Sequence, residues 1–137
     1  MENNSMHIID RFFSDLSWDA DPKRQEEAIN EAANIKVLSI FIQPLEGKEY
    51  WDNCAVIISR REDKELEKYI YALLEWLKDM NWPGADTIYQ RLCRMNKNQL
   101  IKWIKTAKNA AITTGDLVWL QVLNDLLDDV LRIDDGS

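Results

Sequence analysis

Between Asp63 and Met80 the apolar positions are Leu66, Tyr69, Ile70, Leu73, Leu74, Leu77 and Met80. Steps of three and four residues keep side chains on one side of a helix, so this spacing predicts a continuous amphipathic helix over 63–80. Glu65, Glu67, Lys68, Glu75, Lys78 and Asp79 fill the opposite, solvated side. Ile9, Phe12, Phe13 and Leu16 repeat the pattern at the start of the chain and predict a first helix there. Asp21 followed by Pro22 starts a second. The carboxylate accepts from free first-turn amides, and proline fits where no donor is needed. That helix presents Ala28, Ile29, Ala32 and Ala33, small residues that imply close approach of a neighbour.

The segment 35–42 is less decisive, because Val37, Ile40 and Ile42 favour extended backbone while its length is too short for periodicity. A short helix broken at Pro44 is the expectation. Trp51, Cys54, Ala55 and Ile58 then give helical steps over 50–60. Asn81, Trp82, Pro83 and Gly84 interrupt the long helix, since proline cannot continue the hydrogen-bond ladder. Ile88, Leu92 and Met95 mark the next helix, and Asn96 with Gln99 resembles a capping box opening another, with Leu100, Ile104, Ala107 and Ala111 as its stripe. Thr113 and Asp116 repeat that box ahead of a last helix carrying Trp119, Leu120, Leu123, Leu126, Leu127, Val130 and Leu131. Six to seven helices joined by short turns make an all-α chain, 1–137 as a single domain. Antiparallel pairs that cannot bury their faces alone must stack, which is the logic of a short α-solenoid.

Composition narrows the function. Hydrophobic residues make up 46% of the 137 and charged residues 30%, as in folded globular chains. Six tryptophans must mostly be buried or else form a surface that something binds. No apolar run reaches the length of a membrane span and the first residues do not read as an export signal, so no membrane partner and a cytoplasmic location are expected. Cys54 and Cys93 are read as free structural thiols. With one histidine, His7, a Cys/His zinc site lacks donors, and no cofactor is called for. The net charge of −7 argues against nucleic acid across the whole surface. The charge is segregated, however: Thr87 to Gly115 contains no acid but carries Arg91, Arg94, Lys97, Lys102, Lys105 and Lys108, while six Asp against Arg132 follow from Asp116.

Three stretches carry a resemblance: WDADPKRQEEAI at 18–29, WDNCAVII at 51–58 and LLEWLKDMNWPGADTIYQRL at 73–92. They resemble an uncharacterised family of small bacterial proteins, HEAT-like helical-repeat domains of unknown function. The resemblance implies a right-handed stack of helix pairs and no catalytic residues. HEAT-like repeats in general serve as protein-binding scaffolds, with a minority binding nucleic acid.

Candidate chemistry is sparse. None of the four glycines stands in a phosphate-loop spacing, and Cys54 or Cys93 as a nucleophile would need a positioned base beside it. Asp125, Asp128 and Asp129 share a helical face that is better read as solvated than as a cation site. Trp82 at its turn either lines a recognition edge or staples two helices, and the staple is the preferred reading there and for Trp18. Arg91 and Arg94 on one helix, with Lys102 and Lys105 on the next, form either a patch for an anion or a counterweight to the Asp-rich last helix. The expectation is a non-enzymatic protein-interaction module, an adaptor or an immunity protein that neutralises a basic toxin. The alternative is a nucleic-acid-binding or base-processing domain using residues 91–108 and Trp82.

Overall fold

The Asp21 carboxylate accepts the backbone N–H of Lys23 at 3.2 Å, and Pro22 occupies the first helical position of α1 (Pro22–Glu31). This computed structural model describes residues 12–135, and they are helical with no strand among them. Residues 12–15 are helical and Phe13 and Leu16 are buried, whereas Ile9 and His7 lie outside the described residues. After α1 come α2 (Trp51–Ser59), α3 (Asp63–Leu66), α4 (Ile70–Glu75), α5 (Ala85–Cys93), α6 (Lys97–Thr114) and α7 (Leu117–Asp135).

The helix expected over 63–80 is instead a chain of short pieces. A 3-10 turn at Glu67–Tyr69 separates α3 from α4, and a second at Trp76–Lys78 follows α4. The apolar stripe survives, because Leu66, Ile70, Leu73, Leu74 and Leu77 are buried. What changes is Trp76. A 3-10 turn eclipses every third side chain, and the turn at Trp76–Lys78 admits the indole to the core beside Leu77, fully buried. Its N–H donates to the Pro83 carbonyl at 3.0 Å, across the break at Asn81–Gly84.

Segment 35–42 departs from the expected short helix in kind. Ile35, Val37 and Ile42 are extended, and only Leu38–Phe41 closes a 3-10 turn, with Leu38 and Phe41 inside. Gln43 then takes a left-handed backbone, φ 42°, immediately before Pro44. Side chains other than glycine avoid that region, and a following proline restricts the backbone further.

Two expected capping boxes resolve differently. Asn96 does cap α6, accepting from the Asn98 amide at 3.0 Å. The return bond comes from Asp63 rather than Gln99: the Asn96 amide donates to Asp63 Oδ2 at 3.0 Å. Thr113 lies inside α6, its hydroxyl donating to the Asn109 carbonyl at 2.9 Å. Gly115 ends that helix in the left-handed region, and Asp116 caps α7 by accepting from the Trp119 amide at 3.0 Å. A complete box stands instead at Glu62 and Glu65 ahead of α3.

The most extensive helix contact is between α6 and α7, a hairpin turning at Gly115. Next come α2 on α5, α4 on α6 and α1 on α2. Ala28 and Ala32 are buried where α1 approaches α2, while Ala33 is exposed. One continuous core joins Leu16, Phe41, Ile58, Leu74, Trp76, Ile104 and Trp119.

Gly84 holds the tightest point of the turn after the stripe. Its φ is 82°, and a Cβ there would sit 2.8 Å from both Ala55 Cβ and the Trp51 carbonyl oxygen. Gly84→Ala is expected to lower the unfolding free energy by about 2–4 kcal/mol in urea titration. At Gly115 a Cβ meets nothing within 4 Å, so Gly115→Ala should carry only the backbone cost of about 1 kcal/mol.

Candidate interaction site

Of the residues nominated from the sequence, Arg91 is not on the surface. Only 6% of it is exposed, and its guanidinium donates to the Arg61 carbonyl at 2.8 Å and to Asp63 Oδ1 at 2.7 Å. The same Asp63 receives the Asn96 amide, so Arg91 is spent on tying α5 to the start of α3 and α6. Sequence spacing could not reveal this, because the partner lies 28 residues away. Arg94, Lys102 and Lys105 are exposed, but without Arg91 the proposed two-helix patch loses its centre. Among the described residues no ion pair joins Lys102 or Lys105 to Asp125, Asp128 or Asp129. The last of these is engaged elsewhere, by the Tyr89 hydroxyl and by Arg132 at 3.1 Å.

Trp82 is half-buried and stacks edge-on against Trp51, ring centres 5.7 Å apart, with Lys48 Nζ 6.0 Å from its ring centre. Trp51 in turn meets Trp76 edge-on at 5.9 Å. That geometry supports the staple. Trp18 does not fit the same description, because half of it is exposed. Its corner is held by polar groups instead: Gln25 Nε2 donates to the Ala20 carbonyl at 2.7 Å, and Asn53 Nδ2 donates to the Leu16 carbonyl at 2.8 Å.

Both cysteines are buried free thiols. Burial, with Glu46 nearby, pushes the Cys54 thiol from 9.0 up to about 12, and burial followed by the Asp129 charge raises Cys93. Raised values suppress the thiolate, which is the opposite of what a nucleophile requires. No group of three or more potential ligands stands ready for a metal among the described residues. No helix of the described residues is long and apolar enough to cross a membrane.

The feature that sequence reading missed is a groove of about 650 Å³ formed by residues 12–46. Phe12, Phe13, Ile35 and Ile42 line it, while Val37, 58% exposed, and Leu45, fully exposed, stand at its edge. The rim is anchored where Trp51 Nε1 donates to the Pro44 carbonyl at 2.8 Å. Its signal was present in the sequence. Ile35, Val37, Leu38, Ile40, Phe41, Ile42 and Leu45 are more apolar side chains than a four-residue 3-10 turn can turn inward. A second, polar hollow of about 270 Å³ lies between α1 and α2 over Arg60, Arg61 and Glu65. Arg61 fills its own needs there, donating to the Ala32 and Ile35 carbonyls and to Glu65 at 3.0 Å.

A family model matches residues 47–135, from the 3-10 turn that leads into α2 through α7. The chain belongs to the DUF5071 family. That family is described as a domain of unknown function. The DUF5071 span contains the three stacked indoles, Gly84 and the Arg91–Asp63 pair, whereas the residues lining the apolar groove all precede it. No curated protein and no solved structure matches the chain.

Arg91→Leu is expected to cost about 3 kcal/mol, somewhat below a fully buried pair because Asp63 reaches solvent, while Arg94→Gln leaves stability unchanged. The folded state holds Cys54 neutral, so its contribution is whole below pH 9.0 and is lost as pH rises toward 12. Urea midpoints measured across that window should fall for the native chain, and fall less for Cys54→Ala.

Proposed function

We propose that this protein is a non-enzymatic interaction module whose apolar groove at residues 12–46 receives a segment of a protein partner. The observation that carries this reading is the groove itself. Val37, Ile40 and Leu45 stand exposed around it, and contiguous exposed apolar surface beside a concavity is what protein-binding sites present. The strained Gln43 backbone at its rim supports the same view, since such strain is retained where function needs a fixed loop shape.

The partner's chemistry follows from charge. Residues 12–52 carry nine acidic side chains against four basic ones. A basic segment presenting two or three large apolar side chains is complementary to this surface. A basic toxin held by an immunity protein is one such pairing. Helix pairs stacked in the HEAT-like manner would supply a rigid support, and α2 on α5 together with the α6–α7 hairpin is consistent with that arrangement. A nucleic-acid role for 91–108 is less well supported, because Arg91 is buried and Trp82 is packed against Trp51.

The test compares the full chain with Val37→Glu/Leu45→Glu, a change at exposed positions that should move stability by less than about 0.5 kcal/mol. Affinity capture from the native host is expected to recover a basic protein with the unmodified chain. Binding of that protein, remeasured with purified components by calorimetry, should weaken at least about tenfold in the variant. Equal binding by both forms, or the recovery of no protein at all, overturns the proposal.

A further inference from the structure

The outer face of the α6–α7 hairpin carries two short charge rows of opposite sign. On α6, Lys102 and Lys105 are exposed among Asn98, Gln99, Thr106 and Asn109, with no acidic residue anywhere in the helix. On α7, Asp125 and Asp128 are exposed. At the tip, Ile112, Leu117 and Val118 stand in solvent, each more than half exposed.

The two rows are in register. Lys105 lies ten residues before Gly115 and Asp125 ten after it; Lys102 lies thirteen before and Asp128 thirteen after. At 1.5 Å per residue these levels are roughly 15 and 20 Å from the turn. Within one hairpin the rows stay apart, since no ion pair joins them and the nearest partner of Asp125 is Gln121 Nε2, donating at 2.9 Å.

We infer that this face pairs with the same face of a second copy of the chain, about a two-fold axis running along the hairpin. Such an axis sets α6 of each copy against α7 of the other at equal heights. Lys102 then meets the other copy's Asp128, Lys105 meets its Asp125, and each contact is made twice, as an isologous interface requires. The tips coincide as well, so Ile112, Leu117 and Val118 from both copies close into one apolar cap. Like-charge contacts are avoided only in this parallel pairing. Turning one copy end over end would set α6 against α6 and α7 against α7, Lys toward Lys and Asp toward Asp, and would part the two apolar tips. The face is about 27 Å long and 20 Å wide, on the order of 500 Å² per copy, which sits at the small end for stable association and fits a dimer of micromolar dissociation constant.

Analytical ultracentrifugation of the full chain at about 100 μM tests this, with two charge-reversal variants at exposed positions whose helical circular dichroism should match the parent. The parent is expected to sediment at twice its 16.1 kDa mass. Lys102→Glu/Lys105→Glu alone and Asp125→Lys/Asp128→Lys alone should each sediment as monomers, and an equimolar mixture should regain the dimer, because each variant then meets its opposite charge. A monomeric parent overturns the inference, including one whose lysines instead retard a labelled RNA oligonucleotide. So does a variant that remains dimeric alone, or a mixture that stays monomeric.

Discussion

A buried indole carries an N–H donor into the core, and leaving it without an acceptor costs about 1–3 kcal/mol. Inside an all-helical protein most carbonyls are already engaged in the helix ladders, so the acceptors left over lie where a helix ends or breaks. Three tryptophans here meet that constraint at three such places. Trp51 reaches Pro44 in the loop before its own helix, Trp76 reaches Pro83 in the turn after α4, and Trp119 reaches Leu74 near the end of α4. Each bond ties one helix to a break in the chain, and Trp119 joins residues 45 apart. The breaks that interrupt the apolar stripe are therefore points of attachment, and Gly84 is the residue whose missing Cβ allows Ala55, Trp51 and Trp76 to approach one of them.

Charge follows a parallel logic at the other side of α5. Arg91 and Arg61 are buried and their guanidiniums are engaged, by Asp63 and the Arg61 carbonyl in one case and by Glu65 and two carbonyls of the α1 exit in the other. Asp63 serves two masters, accepting from Arg91 and from the first amide of the next helix junction at Asn96. A residue that looks like part of a basic surface stretch thus fixes three helices together. On α6, by contrast, Lys102 and Lys105 are exposed on the outer side of the hairpin.

Apart from Trp18 and Leu131, the large apolar side chains that stand exposed among the described residues gather in two places. One is the groove at residues 12–46, where a short 3-10 turn and a strained Gln43 leave Val37 and Leu45 outside. The other is the hairpin tip at Ile112, Leu117 and Val118. The two places differ in shape, since the groove is a hollow lined by residues 12–46 whereas the tip lies at the turn between two long helices.

Much of the fold was legible in the residues themselves. The α1 start at Asp21–Pro22, the α2 stripe, the interruption at Trp82–Gly84, the Asn96 cap and the two long final helices were all set by local rules: proline lacks a donor, short polar side chains cap, and apolar residues three and four apart share a face. The same rules placed Leu66, Ile70, Leu73, Leu74 and Leu77 in the core. Local rules did not reveal that the helix over 63–80 tightens twice; at the second tightening the Trp76 indole finds its acceptor across the break, at Pro83. Nor could they say that Arg91 is internal, since that outcome depends on Asp63, a group brought near by packing, or that Trp18 stays half exposed. Periodicity reports which side of an element is apolar. Which apolar side finds a neighbour, and which is left facing water at 35–46, is decided only when the elements meet.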